Sequence, residues 1–140
     1  MKEIKTRSGC PVSYTLDFLG DKWTLLILRD MVISDKSTYG EFLASEEKIA
    51  TNILADRLTT LEQYGFVTKK VSPDKKSKLL YNLTEKGIAL VPIIMEMGIW
   101  GSVFNPPGLN KQLLDQLTTD KDGTIRNFQQ KLKDRLLQAS

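Results

Sequence analysis

The sequence predicts a mainly α-helical fold with one small β-hairpin, and three stretches of its 140 residues carry that prediction. Residues 48–64, KIATNILADRLTTLEQY, wound at about 3.6 residues per turn, put Ala50, Ile53, Leu54, Leu58, Leu61 and Tyr64 on one face. Thr51, Asn52, Ala55, Asp56, Thr59 and Gln63 fall on the other, a small polar surface without strong net charge. Residues 66–83 hold two strand patterns on either side of the turn Pro73-Asp74-Lys75-Lys76-Ser77-Lys78. Residues 84–104 carry more apolar side chains than one flank of a small domain absorbs, which asks for a partner surface.

The remaining elements follow in chain order. Residues 1–9 read as a flexible arm. Pro11 suits the first position of a helix and puts Cys10 at its N-cap; Val12, Leu16 and Leu19 stripe that helix, and Gly20 ends it. Asp21 caps a second helix from Lys22 to about Val32, apolar nearly all round and so central to the core. Thr38 and Glu41 have capping-box spacing and open a short helix, residues 39–44, that offers Phe42 and Leu43 to the core. The polar turn 45–48 joins it to the longer helix 48–64, which stops at Gly65 as a C′ glycine. Thr84 caps the apolar stretch 84–104, which Pro92 kinks or restarts. Asn105-Pro106-Pro107-Gly108 then breaks the chain, and two further helices follow, one over 109–117 and one striped by Ile125, Phe128, Leu132 and Leu136.

Composition narrows the function classes. With 41% hydrophobic residues, the chain suits one compact domain with a real core. The net charge of +3 is modest, but Lys69, Lys70, Lys75, Lys76 and Lys78 crowd one segment against the single acid Asp74. There is no histidine, and Cys10 is the only cysteine, so an intramolecular disulfide, a thiolate metal cluster and the commonest general base are all excluded. No nucleophile–base pair, phosphate-binding glycine loop or metal constellation stands out, and the expectation is a non-enzyme without cofactor. The N-terminus lacks the apolar region of a secretion signal, and no uninterrupted apolar run approaches the roughly eighteen residues of a membrane span, so a cytoplasmic protein is expected.

Helix, helix, short helix, longer helix, basic hairpin and long helix is the order of a winged helix-turn-helix. Each part has a use on double-stranded DNA. Small polar residues on the longer helix suit a major groove, where Asn52 can pair with adenine and Thr51 or Ala55 can touch a thymine methyl; Asp56 and Thr59 complete that face. Lys69, Lys75, Lys76 and Lys78 suit phosphates beside the groove, which adds affinity without sequence information. Arg57 falls near the inner face of the helix and serves either a phosphate or a carboxylate inside the protein. Trp23 and Trp100, set among aliphatic helices, read as core rather than as ligand platforms. A winged-helix module that binds another protein and no DNA is the competing reading.

The agreement extends to local sequence. Cys10-Pro11-Val12, Gly20-Asp21-Lys22-Trp23-Thr24-Leu25-Leu26-Ile27-Leu28, Tyr39-Gly40-Glu41-Phe42, residues 58–65, Tyr81-Asn82-Leu83-Thr84-Glu85-Lys86-Gly87 and Trp100-Gly101 together resemble the HxlR family of bacterial transcription regulators, relatives of the MarR regulators. The resemblance covers about residues 10–104. It implies a winged-helix DNA-binding and dimerisation domain over 10–104, a homodimer on inverted-repeat promoter DNA, and a C-terminal helical extension over 105–140. The dimer interface it implies involves the N-terminal helix, with Val12 and Leu16, and the long helix after the wing, with Ile93, Met97, Trp100 and Phe104. Several such regulators use an N-terminal cysteine to sense quinones, other electrophiles or oxidants. At Cys10, whose N-cap position favours thiolate, this competes with a small packing residue that senses nothing. Without a second cysteine, oxidation can yield only a Cys10–Cys10 bridge between subunits, a mixed disulfide or an oxyacid.

Overall fold

The computed structural model describes residues 3–139. Its elements run α1 (Pro11–Leu19), α2 (Lys22–Val32), α3 (Tyr39–Leu43), α4 (Thr51–Gln63), β1 (Val67–Val71), β2 (Leu79–Leu83), α5 (Glu85–Ile88), α6 (Val91–Phe104), α7 (Lys111–Thr119) and α8 (Lys121–Ala139). This is the expected helical fold with a single antiparallel hairpin, paired from Val67 opposite Leu83 to Val71 opposite Leu79.

Local chemistry sets most boundaries. Asp21 accepts from the Thr24 amide at 2.8 Å and starts α2. The Thr38–Glu41 capping box is fully formed: the Thr38 hydroxyl accepts from the Glu41 amide, and Glu41 Oε1 accepts from the Thr38 amide. At the end of α4, Gly65 at φ +80 takes the left-handed conformation. Its amide bonds to Glu62 and the Phe66 amide to Leu61, the paired bonds of a Schellman cap. Thr84 accepts from the Gly87 amide, but the helix it opens is only α5; Pro92 sits in the first turn of a separate helix, α6, so the proline marks a restart.

The core is built around α2 and α4. Leu28, Leu54, Leu58 and Phe42 are almost completely buried, together with Ile88, Val91 and Met95, and each such side chain contributes about 2 kcal/mol through removal from water. Leu113, Leu117 and Leu132 belong to the same apolar cluster, so α7 and α8 share the core of the winged segment. A buried carboxylate also lies on α2: Asp30 is held by Arg29 at 2.8 Å and Lys36 at 3.4 Å, and Arg29 continues to Glu47 at 3.0 Å. That network ties α2 to the turn between α3 and α4, and it satisfies a charge that would otherwise be costly to bury.

Several sequence expectations change. The helix expected over 48–64 begins only at Thr51: Lys48 sits at φ +56, Ile49 is buried, and Ala50 is an exposed, extended N-cap without a side-chain bond. In α1 the stripe of Val12, Leu16 and Leu19 is buried only at Leu19; Val12 is 67% and Leu16 53% exposed, because the helix packs through Phe18 and Leu19 instead. Trp23 packs half-buried against the core, but Trp100 is 69% exposed, on a side of α6 left open among the described residues. Of the flexible arm expected over residues 1–9, Met1 and Lys2 lie outside the described residues, and the described part is anchored: the Ile4 amide donates to the Tyr64 hydroxyl at 2.7 Å, and Arg7 pairs with Asp17 at 3.2 Å. Finally, residues 85–104 are long and apolar enough, by length and composition, to cross a membrane, with a mean hydropathy of 1.7. Counting uninterrupted runs missed this because Glu85, Lys86 and Glu96 break the run but barely lower the average. In the fold the stretch is two helices, with Ile88, Val91, Ile94 and Met95 in the core.

Candidate nucleic-acid interface

The polar face of α4 stands outward because the opposite face is fully committed. Leu54, Leu58 and Leu61 are buried, which leaves Thr51, Asn52, Ala55 and Thr59 exposed. The Thr59 hydroxyl donates back to the Ala55 carbonyl at 2.8 Å, so its donor is already used within the helix. Tyr39, at the start of α3, donates to the Thr51 carbonyl at 3.0 Å and fixes the N-terminal end of α4 relative to α3. At its N-terminal half the side chains Thr51, Asn52 and Ala55 are all short, so a groove wall can approach closely.

Asp56 and Arg57 are placed differently from their neighbours. Arg57 Nε donates to Asp21 Oδ2 at 2.8 Å, its Nη2 donates to Asp21 Oδ1 at 3.2 Å, and its Nη1 donates to Asp56 Oδ2 at 2.7 Å. Of the two partners the sequence left open for Arg57, the guanidinium is therefore on carboxylates of its own chain. Asp56 turns from the polar face to join it. The Arg57 hydrogen bonds hold the Asp21 carboxyl down at about 2, against the opposing effect of burial and with further help from Thr24. Asp21 thus caps α2 and clamps α4 to it. Cap chemistry alone identifies only the first of these roles in the sequence.

The wing stands beside this face. Lys69, Lys70, Lys75, Lys76 and Lys78 are all exposed, and among the described residues none of them forms an ion pair. A shallow cleft of about 320 Å³ separates the wing tip, at Lys75, Ser77 and Lys78, from Thr38, Tyr39 and Gly40 at the start of α3. Glu41 is held below its usual range by the Ser37 amide, and also by Thr38 and the nearby Lys78 charge. An isolated bridge from Thr38 to Leu80 joins the start of α3 to β2 as a third, minimal strand.

The other predicted residues lie away from this face. Val12 and Leu16 on α1, and Ile93, Met97, Trp100 and Phe104 on α6, are all exposed, with the Trp100 and Phe104 rings 5.0 Å apart. Cys10 is exposed at the N-cap of α1, its amide donating to the Ser8 hydroxyl at 3.2 Å, while Arg7 is directed to Asp17 rather than to the thiol. Among the described residues no group of three or more potential metal ligands converges.

A recognition-type helix clamped by two packed helices and flanked by a lysine-bearing hairpin defines a winged helix-turn-helix protein. A family model described as HxlR-like helix-turn-helix matches residues 18–108, and the chain belongs to that family. It is 36% identical over 96 residues to the uncharacterized HTH-type transcriptional regulator YdeP of Bacillus subtilis (strain 168), a match covering 69% of this chain and 74% of YdeP. It is 35% identical over 100 residues to the HTH-type transcriptional regulator YodB of the same organism, covering 71% and 88% of the two chains. The crystal structure of quinone-bound YodB superposes with a TM-score of 0.53 at 32% identity, covering 67% of this chain and 98% of YodB. The redox regulator HypR in its oxidised form superposes with a TM-score of 0.60 at 35% identity, over 67% of this chain and 96% of HypR. The chain is a transcriptional regulator with a helix-turn-helix DNA-binding domain, and its relatives are regulators, not enzymes.

Proposed function

We propose that this protein acts in the cytoplasm as a homodimer that binds double-stranded, inverted-repeat promoter DNA sequence-specifically and represses or activates transcription there. The observation that carries the reading is the pairing of two surfaces in one fold. The exposed face of α4, with Thr51, Asn52, Ala55 and Thr59, lies beside five exposed wing lysines, none of which forms an ion pair among the described residues. Asn52 has the donor and acceptor that adenine presents in reverse, and Thr51 and Ala55 offer the methyl contacts a thymine accepts. Lys69, Lys75, Lys76 and Lys78 add counterion release. Arg57 acts through its clamp on Asp21, holding α4 at a fixed angle, and Asp56 shares that work.

The dimer is supported by the apolar side of α6 and the outer stripe of α1, which stay exposed in one copy and carry Trp100, Phe104, Met97, Ile93, Val12 and Leu16. Large apolar side chains left in water in this number are unfavourable and are covered by association. For Cys10 we propose sensing of a small electrophile or oxidant, supported by its exposure at a helix N-cap and by the quinone-bound and oxidised states in which the relatives YodB and HypR were crystallised.

Fluorescence anisotropy with promoter DNA that co-precipitates with the protein tests the central claim. Specific binding that weakens steeply with salt is expected. Lys75→Ala with Lys76→Ala should weaken all sequences about equally and flatten the log–log salt slope by roughly 2. Binding that ignores salt, or a loss confined to one operator, refutes the assignment of the wing and favours a protein-binding module.

A further inference from the structure

Helix α8 lies beyond residues 18–108, the part shared with the family model, and nothing in the winged-helix argument uses it. Its position is specific. In the sheet β2 is the middle strand, with β1 on one side and Thr38 on the other. Strand alternation turns Leu79, Tyr81 and Leu83 toward the core, where the Tyr81 ring meets Phe42, and turns Leu80 and Asn82 to the back of the sheet. A bare wing would leave that back in water. Here Asn82 is only 9% exposed, and α8 packs along β2.

Three attachments hold α8 in place. Leu132 is buried in the common core. Gln129 Nε2 donates to the Ile88 carbonyl at 3.2 Å, at the end of the short helix that follows β2. Arg135 and Lys131 both reach the Asp35 carboxylate, Lys131 at 3.9 Å, in the turn that leads into Ser37 and Thr38. The Tyr81 amide in turn donates to the Ser37 carbonyl at 2.7 Å. Helix α8 therefore fastens the turn before the sheet on one side and the helix after it on the other, with β2 clamped between.

We propose that α8 is a built-in brace that presets the wing for DNA, with Arg135, Gln129 and Asp35 as its positioning residues; the DNA half of this statement rests on the function proposed above. A hairpin held in its bound orientation has less ordering to do when its lysines meet phosphates, and affinity rises without any new contact. This effect has a signature that separates it from a phosphate contact. Loosening the brace leaves the same lysines on the same phosphates in the complex, so the salt dependence stays while affinity falls at every salt concentration.

The test uses Arg135→Ala, Asp35→Asn and Arg135→Lys in the full chain. Asparagine is chosen because it tolerates the φ of +62 at position 35 while removing the charge. Anisotropy on a mixed-sequence duplex suffices, since wing contacts are to the backbone. Arg135→Ala and Asp35→Asn are expected to weaken binding about ten-fold across salt with an unchanged slope, and Arg135→Lys to restore most of it. Hydrogen exchange on the DNA-free protein should show faster amides over 67–83 in both charge-removing variants and near-wild-type rates in Arg135→Lys. A slope lowered by about 1 makes Arg135 a phosphate ligand and overturns the proposal. So does unchanged affinity of the folded variants accompanied only by a lower melting temperature, or unchanged exchange in the wing. Wild-type protein that binds no DNA would sink the functional reading, while the DNA-free exchange would still decide whether α8 holds the wing.

Discussion

The Asp21–Arg57 clamp makes a quantitative prediction about stability and pH. Asp21→Asn keeps a good N-cap for α2, because asparagine caps about as well as aspartate, and removes only the charge that Arg57 binds. The Asp21 carboxyl falls from its ordinary 3.8 to about 2, chiefly through the Arg57 hydrogen bonds. Taken at face value, that shift is worth up to roughly 2.5 kcal/mol. The Asp21 side chain is 37% exposed, and solvent screening brings the expected figure to about 1 kcal/mol. The sign follows from linkage: the folded state holds the carboxyl at the lower value, so it binds fewer protons than the unfolded state. The stabilisation is then complete above about pH 4 and is lost as pH falls toward 2. Urea unfolding of wild type and Asp21→Asn, at one fixed protomer concentration because association shifts apparent stability, should differ by about 1 kcal/mol at pH 7 and converge near pH 2. Equal stability at pH 7, or a gap that persists unchanged at pH 2, would refute the claim that a charge-assisted clamp fastens α4 to α2.

Three further predictions concern separate parts of the fold. Trp100→Glu, which puts a charge on the exposed apolar side of α6, should raise the dissociation constant of the proposed dimer by about 100-fold or more in sedimentation equilibrium; an unchanged self-association places the interface elsewhere. Cys10→Ser should abolish any change in DNA binding produced by a quinone or by diamide, and a serine variant that responds as wild type does removes Cys10 from the sensing role. Gly65→Ala meets no neighbouring atom within 4 Å yet must adopt φ +80, so it should cost about 1 kcal/mol in urea unfolding from backbone conformation alone, and a neutral result would show that the Schellman cap is not needed to end α4.

What was legible in the sequence was whatever depends on neighbours along the chain. The Thr38–Glu41 box, the Asp21 cap, the Gly65 stop and the lysine-tipped hairpin are each fixed by residues within a few positions of one another, and these stand as read, while the Thr84 cap opens only α5 and not the whole stretch 84–104. The periodicity of residues 51–63 likewise separates the buried Leu54, Leu58 and Leu61 from the exposed Thr51, Asn52, Ala55 and Thr59, because a helix converts spacing directly into direction. The fold class and the family follow from the order of such local signals.

Tertiary structure alone decided the rest. An apolar stripe marks a face that avoids water but does not say what covers it. Val12, Leu16 and Trp100 read equally as core or as interface, and only the packed chain leaves them outside. Arg57 finds Asp21, 36 positions earlier, because α2 and α4 cross, and Asp35 meets Arg135 across a hundred residues for the same kind of reason. Those partnerships depend on where whole elements lie, a property of the single arrangement that buries Leu28, Leu54, Leu58 and Leu132 together. A sequence states each side chain's chemistry and its phase along a helix or strand; which distant group it meets is settled only when the elements share one core.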